Sequence, residues 1–196
     1  MRRLALTSCV MICMACTPKD QFNAAGRPLV ITKMGKTYRF EYYPSGLISK
    51  ATDPNDRVTL IEYDTKAKKI SKFTQGTMVT NFIYNDQGLL KETNNNRGKR
   101  ITLTYLEKGL IGTITDQDGT TLKIVYEGRF GKPAIVGIEG GGYIKVTYTN
   151  DGHVDKVYSP QGETTAIAVA LTFSNLLELI EPKDIAYIFN FKGDRK

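Results

Sequence analysis

Residues 80–90 read TNFIYNDQGLL, and this stretch of the 196-residue chain decides the fold. Every second residue up to Tyr84 is Thr, Phe or Tyr, which is the period of a β-strand with one buried face. The turn formers Asn85-Asp86-Gln87-Gly88 follow, and Gly88 supplies the positive φ that a tight hairpin loop needs. Leu89 and Leu90 then begin a second apolar run. The stretch therefore predicts a β-hairpin.

The same pattern recurs along the chain at a fixed spacing. The repeat tyrosines lie 21 residues apart, with one final step of 22: Tyr42, Tyr63, Tyr84, Tyr105, Tyr126 and Tyr148. Each is followed by a turn, an apolar run and a second turn, so each unit amounts to one hairpin. We expect residues 22–163 to form one long antiparallel sheet of consecutive 21-residue hairpins, with roughly twelve strands. A sheet of that width normally curls, so we also expect it to be curved.

Some units depart from the pattern, and these should be places where the sheet bends. In the unit after Tyr63, Ala67 replaces the turn glycine and lysines crowd the turn. The unit after Tyr126 carries an extra residue within Glu127–Gly131, and Gly140–Gly142 makes a loose second turn. One extra residue in a strand or turn changes the local twist.

The repeat resembles the YD repeat of Rhs proteins. The segments 23–27 and 34–42 resemble one unit of that family, Tyr63-Asp64 is a literal Tyr-Asp pair, and Asp53-Pro54 is a literal Asp-Pro pair. The resemblance covers residues 22–163. Rhs shells close around a cargo with dozens of such units, and six or seven hairpins cannot enclose much.

The pattern changes to helical spacing at Thr164. Apolar residues recur every three or four positions on most sides of the segment, which is typical of a buried helix: Ala166, Ile167, Val169, Ala170, Leu171, Phe173, Leu176, Leu177, Leu179 and Ile180. Thr164 or Thr165 is the predicted N-cap, and Glu181-Pro182 is the predicted stop. We therefore predict an all-β fold with one C-terminal helix, which packs on the concave face of the sheet or caps it. The segment 164–196 would comprise this helix, a final strand over 185–191 and a charged tail.

The first sixteen residues, MRRLALTSCVMICMAC, read as a targeting segment. Two arginines precede an apolar run that is far shorter than the roughly 20 residues of a spanning helix. The run ends in Met14-Ala15-Cys16, which resembles the lipobox of bacterial lipoproteins. The resemblance implies a signal peptide over 1–15, lipidation of Cys16, a short tether over 16–21 and an outer-membrane address. An ordinary cleaved secretory signal and a buried N-terminal strand are the alternatives.

Composition excludes several kinds of chemistry. The chain has one His, and its three Cys all lie within the first sixteen residues, so neither a Cys/His metal cluster nor a Cys/His catalytic pair is expected. His153 stands alone in a polar turn. The turn Asp116–Gly119 resembles a calcium loop for only four residues. We predict no catalytic, cofactor-binding or metal-binding residue, and lipidation of Cys16 as the one modified site.

Charge gives an indication of the partners of the mature chain. Lys and Arg number 27 against 20 Asp and Glu, and loss of Arg2 and Arg3 with a signal peptide would lower the net charge from +7 to +5. Basic residues concentrate in the first half, where they either keep the sheet soluble or bind an anionic partner. We expect a membrane-anchored, non-catalytic envelope lipoprotein that acts as a scaffold or binding surface for a protein or anionic glycan, and no nucleic acid. The alternatives are an accessory, immunity or processing factor of an Rhs-type toxin, and a small enzyme with a site in the concave face.

Overall fold

The computed structural model describes residues 19–65, 69–180 and 188, without the side chains of Leu177, Leu179 and Ile180. The predicted signal peptide, Cys16 and the lysine-rich turn at 66–68 lie outside these residues. The described chain forms fourteen strands and one α-helix: β1 (Gln21–Phe22), β2 (Pro28–Lys33), β3 (Lys36–Tyr42), β4 (Ile48–Thr52), β5 (Val58–Tyr63), β6 (Ile70–Gln75), β7 (Met78–Tyr84), β8 (Leu90–Asn95), β9 (Arg100–Tyr105), β10 (Ile111–Asp116), β11 (Thr121–Tyr126), β12 (Pro133–Ile138), β13 (Tyr143–Tyr148), β14 (Val154–Tyr158) and α1 (Glu163–Ile180).

All fourteen strands belong to one antiparallel sheet, in which each strand pairs with its neighbours in sequence. The prediction of a nearly all-β fold with one C-terminal helix is confirmed. The strand number exceeds the expected twelve because the short β1 and the exposed β14 complete the first and last hairpins. Each repeat tyrosine ends an odd-numbered strand, from β3 to β13, as the spacing predicts.

The turns at the two ends of the strands form two opposite rows, which we name the tyrosine edge and the opposite edge. Neither name refers to the outermost strands of the sheet. The tyrosine edge contains the connections that follow odd-numbered strands, and the opposite edge contains those that follow even-numbered strands. Both edges rely on residues with positive φ. At the tyrosine edge Gly46 and Gly88 have φ values of 86° and 73°, so the predicted turn role of these glycines is confirmed.

One face of the sheet, here called the inner face, carries the core. Buried residues alternate along the strands, as with Thr59 and Ile61 in β5 and Ile101 and Leu103 in β9. They fall into two clusters. The first contains Ile101, Leu103, Ile114, Leu122, Ile124 and Val136 of the sheet, and the second contains Phe40, Ala51, Ile61, Phe73 and Phe82.

Helix α1 covers the first of these clusters. Val169 is fully buried, Leu176 is 5% exposed, and Phe173 is partly buried against the cluster. The helix begins at Glu163, so the prediction of Thr164 or Thr165 as N-cap is wrong. The Thr165 hydroxyl instead donates to the carbonyl of Gln161, one turn back, at 3.4 Å.

The other side of α1 is exposed, although its composition predicts a helix buried on most sides. Ile167 and Leu171 are 53% and 60% exposed. A single sheet can cover one side of a helix, and within the described residues no second layer lies over α1. No helix among the described residues is long and apolar enough to cross a bilayer.

Ile188 covers the second cluster of the inner face. Its side chain is 2% exposed and belongs to the same cluster as Phe40, Ile61 and Phe82. Its backbone is helical, whereas the predicted final strand required an extended backbone at this position. The rest of the predicted strand and the charged tail lie outside the described residues.

Candidate functional site: the tyrosine edge

The repeat tyrosines form a regular ladder of hydrogen bonds along the tyrosine edge. Each phenolic hydroxyl donates to the carbonyl of the first residue of the preceding strand. The donor–acceptor distances are 2.8 Å for Tyr42 to Pro28, 2.7 Å for Tyr84 to Ile70, 2.6 Å for Tyr105 to Leu90, 3.0 Å for Tyr126 to Ile111 and 2.7 Å for Tyr148 to Pro133. Tyr63 makes the equivalent hydrogen bond to the backbone of Ile48. The ladder runs through six consecutive hairpins.

A break in strand pairing explains why the ladder is needed. The register shifts beside each repeat tyrosine, as between Ile83 and Tyr84. Such a bulge disrupts the backbone ladder locally, and an unpaired carbonyl beside the core is costly. The accepting residue is also the register partner of the preceding repeat tyrosine: Leu90 pairs with Tyr84 and accepts from Tyr105. Each hydroxyl therefore joins its own unit to the unit before it.

Burial changes the acidity of most of the ladder hydroxyls. It raises the pKa above the ordinary tyrosine value at five of the six positions: Tyr42, Tyr63, Tyr84, Tyr105 and Tyr126. At Tyr84 the charge of nearby Asp64 adds to the effect of burial on the pKa. A phenol is protonated at neutral pH in any case, and the raised pKa extends the donating form of these hydroxyls to more alkaline pH.

Asn and Asp side chains fold back onto the turns of both edges. Asn85 Oδ1 accepts from the backbone N–H groups of Gln87 and Leu89 at 3.1 and 2.8 Å. Asp116 does the same for Asp118 and Thr120, both at 2.9 Å. The Asp116 carboxylate therefore stabilises its own turn.

A second contact links the units at the residue that closes each turn of the tyrosine edge, whose carbonyl accepts from the N–H of the first turn residue. Arg27 lies over the ring of Tyr42 at 5.9 Å, Lys69 lies over Tyr84 at 5.3 Å, and Lys132 lies over Tyr148 at 5.5 Å. Where the closing residue is Leu89, its side chain approaches Gly109 of the next turn. At three turns the closing residue therefore covers the tyrosine of the following hairpin with a cation.

Sequence reasoning did not find this contact, although a signal for it was present. Arg27 and Lys69 each lie 15 positions before the tyrosine that they cover, and Lys132 lies 16 positions before its tyrosine. The Gly-Arg pair at Gly26-Arg27 is part of the YD resemblance. Its spatial partner becomes clear only when the register of β2 and β3 is known.

Two adjoining grooves open on the tyrosine edge. The first has a volume of about 710 Å³ and contains the edge-to-face rings of Tyr43 and Tyr63, 6.2 Å apart, with Glu62 and Asp64 beside them. The second, also of about 710 Å³, lies between Asp64 and the turn at 85–88. Asp64 lines both grooves. Tyr43 is fixed there because its hydroxyl donates to the Ile61 carbonyl at 3.0 Å.

The candidate residues from the sequence lie apart from these grooves or outside the described chain. His153 is exposed at the last turn of the tyrosine edge, with Nε2 at 3.4 Å from Asp151 Oδ2. Within the described ranges, no group of three or more His, Cys, Asp or Glu side chains could hold a metal ion. Cys16 lies outside the described residues, so its lipidation remains a prediction.

The ladder, the stacked turns and the single sheet define a class of protein: a repeat protein built from β-hairpins of the YD type. The chain belongs to the teneurin YD-shell family, whose model matches residues 36–195. No curated protein sequence matched the chain.

Solved structures of Tc toxin components share the fold. A crystal structure of TcdB2-TccC3 with Cdc42 has a TM-score of 0.57 at 14% identity, covering 70% of this chain and 8% of that one. TcdB2-TccC3 without its hypervariable C-terminal region gives the same four values. A mutated Photorhabdus luminescens Tc holotoxin pore gives 0.54 at 15% identity, covering 74% of this chain and 9% of that one. The matched part is less than a tenth of each of these three chains.

Proposed function

We propose that this chain is a membrane-anchored, non-catalytic scaffold of the bacterial envelope, attached through a lipidated Cys16. The repeat sheet would present a binding surface for a protein or a glycan. The main observation behind the proposal is that the hydroxyls of the repeat tyrosines donate to backbone carbonyls. These hydrogen bonds hold each hairpin to the next. A chain built this way maintains a long surface and leaves its outer face and its edges available to partners.

The filling of the inner face supports a scaffold over an enzyme. Val169 and Leu176 of α1 pack on one half of that face, and Ile188 packs on the other. An enzyme would need a recess with converging polar groups. Two recesses at the tyrosine edge are instead open grooves.

The first groove is the best candidate for partner binding. Tyr43 and Tyr63 offer aromatic surface, and Glu62 and Asp64 offer hydrogen-bond acceptors. Aromatic side chains with adjacent polar groups are typical of protein and sugar recognition. Because of the two carboxylates, an anionic glycan would be repelled here, and we favour a protein or a neutral glycan at this groove.

Association with a toxin is the second candidate function. It is supported by the likeness of the fold to TccC3-containing structures, which are toxin components. A likeness of fold alone does not transfer activity, so the role would be that of an accessory or immunity partner and not of a toxin shell.

Metabolic labelling with a clickable fatty acid tests the anchoring. The wild-type chain should carry the label and fractionate with the outer membrane, whereas Cys16→Ala should lose both. Cys13→Ala is the matched control and should retain the label. If the Cys16→Ala chain remained labelled and membrane-bound, the lipoprotein proposal would be wrong.

Site-specific photo-crosslinking tests the groove. A photoreactive residue at Ser45, which lines the first groove, should give a discrete adduct in envelope preparations. The same residue at exposed Asp118, on the opposite edge, is the control. Equal adducts at both positions, or none at Ser45, would argue against partner binding at the groove.

A further inference from the structure

The hairpin tip between β2 and β3, residues 33–36, has three locally unfavourable features. Met34 is 93% exposed, far above Leu171, the next most exposed large hydrophobic residue described, at 60%. It has a φ of 51°, and Gly35 follows with 73°. Two successive positive φ values favour Asn-Gly, so a Met at the first position is a poor choice for the turn.

The third unfavourable feature is electrostatic. Lys33 and Lys36 are directly opposite each other in the register of β2 and β3. Like charges at directly opposite positions destabilise a hairpin. Both side chains are exposed, and within the described residues neither takes part in an ion pair. Residues that are unfavourable for the local structure, and whose cost no other contact offsets, are expected at functional sites.

The chemistry of this tip fits a lipid surface. An apolar side chain at an exposed apex can enter the interfacial region of a bilayer, and flanking lysines are attracted to anionic headgroups. Neither feature alone would suffice, because a lone exposed methionine is common and a lysine pair is usually only solvated. Together they give an apolar apex between two cations.

The start of the chain lies at the same edge. The backbone N–H of Thr32 donates to Asp20 Oδ1 at 2.8 Å, which fixes the entry of the chain two residues from Met34. Cys16 lies three positions before Lys19, with two residues between them, so the two Cα atoms are at most about 11 Å apart. If Cys16 carries a lipid, as proposed above, the tip is held within reach of the membrane.

Charge is uneven along the opposite edge. The tip carries Lys33 and Lys36, and Arg97 and Lys99 lie in the connection after β8. The connection after β4 carries Asp53, Asp56 and Arg57, whereas the connections after β10 and β12 carry acidic residues and no basic residue. The positive charge that the tip offers to an anionic surface is therefore local to the tip and not a property of the whole edge.

We propose that the tip formed by Lys33, Met34, Gly35 and Lys36 docks onto anionic phospholipid, with Met34 entering the bilayer interface. This inference builds on the proposed anchoring and adds a second, peripheral membrane contact that orients the sheet. The lipid surface is met by the opposite edge, and the grooves of the tyrosine edge point away from it.

The chain has no tryptophan, so a single introduced indole reports directly on the tip. Met34→Trp is the test variant and Gln87→Trp, at an exposed turn of the tyrosine edge, is the matched control. The full-length protein is reconstituted into phosphatidylcholine vesicles with or without phosphatidylglycerol, and brominated acyl chains serve as quenchers. In anionic vesicles we expect blue-shifted, strongly quenched emission from the Met34→Trp variant and solvent-like, unquenched emission from the Gln87→Trp variant.

Removing the two charges tests the electrostatic part. Lys33→Gln with Lys36→Gln, in the Met34→Trp background, should lower the ratio of docked to undocked tips about 25-fold, at about fivefold for each lysine. The proposal is overturned if the Met34→Trp and Gln87→Trp variants emit alike in anionic vesicles. It is also overturned if neutral vesicles quench the Met34→Trp variant as strongly as anionic vesicles do. A blue shift of this variant that appears without lipid at high protein concentration would likewise overturn it, because the partner would then be a second copy of the chain.

Mass spectrometry of the same samples separates this inference from the anchoring proposal. If the protein carries a lipid and the Met34→Trp variant is not quenched, the tip inference alone fails. If the protein carries no lipid, the anchoring proposal fails, and sedimentation of the unlipidated full-length chain with anionic vesicles still tests the tip. Thermal denaturation of each variant checks that the substitutions leave the fold intact.

Discussion

The hydroxyl of Tyr105 lies 2.6 Å from the carbonyl oxygen of Leu90, and Leu90 is itself the register partner of Tyr84. A tyrosine of one hairpin therefore completes the backbone hydrogen bonding of the hairpin before it. Removing that hydroxyl leaves a partly buried carbonyl without its donor, which has a measurable cost.

Tyr105→Phe should lower the free energy of unfolding by about 1–3 kcal/mol, because the partly buried carbonyl loses its donor. Urea denaturation followed by circular dichroism measures the change. Tyr158→Phe is the control, since Tyr158 is 44% exposed, and it should change the free energy by less than about 0.5 kcal/mol. If the two substitutions lowered the free energy of unfolding equally, the ladder hydroxyl would contribute no more to stability than an exposed hydroxyl does.

The helix offers a matched pair of leucines for testing its packing. Leu176 is 5% exposed and Leu171 is 60% exposed on the same helix. Leu176→Ala should cost about 2–5 kcal/mol because it opens a cavity against the sheet, whereas Leu171→Ala should cost less than about 0.5 kcal/mol. At this chain length the first change lowers the melting temperature by about 2–4 °C for each kcal/mol.

If both leucine variants melted like the wild type, α1 would not be part of the cooperative unit. A helix that served only to bind a partner would give that result. Calorimetry of the two variants and the wild type in one buffer distinguishes these cases.

Two turn glycines with similar backbone geometry test the cation that covers Tyr42. Gly26 and Gly46 have φ values of 71° and 86°, so alanine is strained at both, by roughly 1–2 kcal/mol. At Gly46 a Cβ atom would also meet the guanidinium of Arg27, whereas at Gly26 it would meet nothing within 4 Å. Gly46→Ala should therefore cost about 0.5–1 kcal/mol more than Gly26→Ala, as the guanidinium moves off the ring.

The excess should vanish when both substitutions are repeated in an Arg27→Gln background. Chemical denaturation of these four variants forms a double-mutant cycle. If the extra loss of stability in Gly46→Ala persisted without Arg27, its cause would be the backbone of the turn and not the stacked cation.

Asp53 should make stability depend on acid pH. Burial alone would raise the pKa of this carboxyl, but hydrogen bonds from the Arg57 backbone and guanidinium and from the Asn55 backbone outweigh it and hold the pKa below its ordinary value. A carboxylate with a lowered pKa in the folded state stabilises the protein above its unfolded pKa. This stabilisation is lost as the pH falls through the folded pKa.

Asp53→Asn should therefore flatten the acid limb of the stability curve, with little further loss of stability as the pH falls. Asp86→Asn, at an exposed turn, is the control and should leave the acid limb unchanged. Melting temperatures across the acidic range measure both. An acid limb that was unaltered in Asp53→Asn would show that other carboxyl groups cause the acid sensitivity.

The sheet could be predicted from sequence because its period is carried by every unit. Tyrosines spaced 21 residues apart, each followed by a turn, fixed both the register and the shared face. The lateral contacts were less accessible, because Arg27 and Tyr42 meet only across a strand pair. The exposed side of α1 was missed for a related reason: Ile167 and Leu171 have the composition of a core, and only the three-dimensional arrangement leaves them uncovered.

The tip at Met34 was also beyond the sequence argument. Met-Gly between two lysines reads as an ordinary hairpin turn, and its exposure and its closeness to Asp20 are properties of the folded edge. The binding functions proposed above depend on such surface features, which a repeat pattern does not encode.

The order of elements along the chain has a consequence for how the protein is made. Strands that are neighbours in the sheet are also neighbours in sequence, so the sheet can form progressively as the chain is synthesised. The residues that cover its apolar side, in α1 and at Ile188, follow all fourteen strands in sequence. Until they emerge, a wide apolar surface meets water, and this interval is when the nascent chain most needs a chaperone.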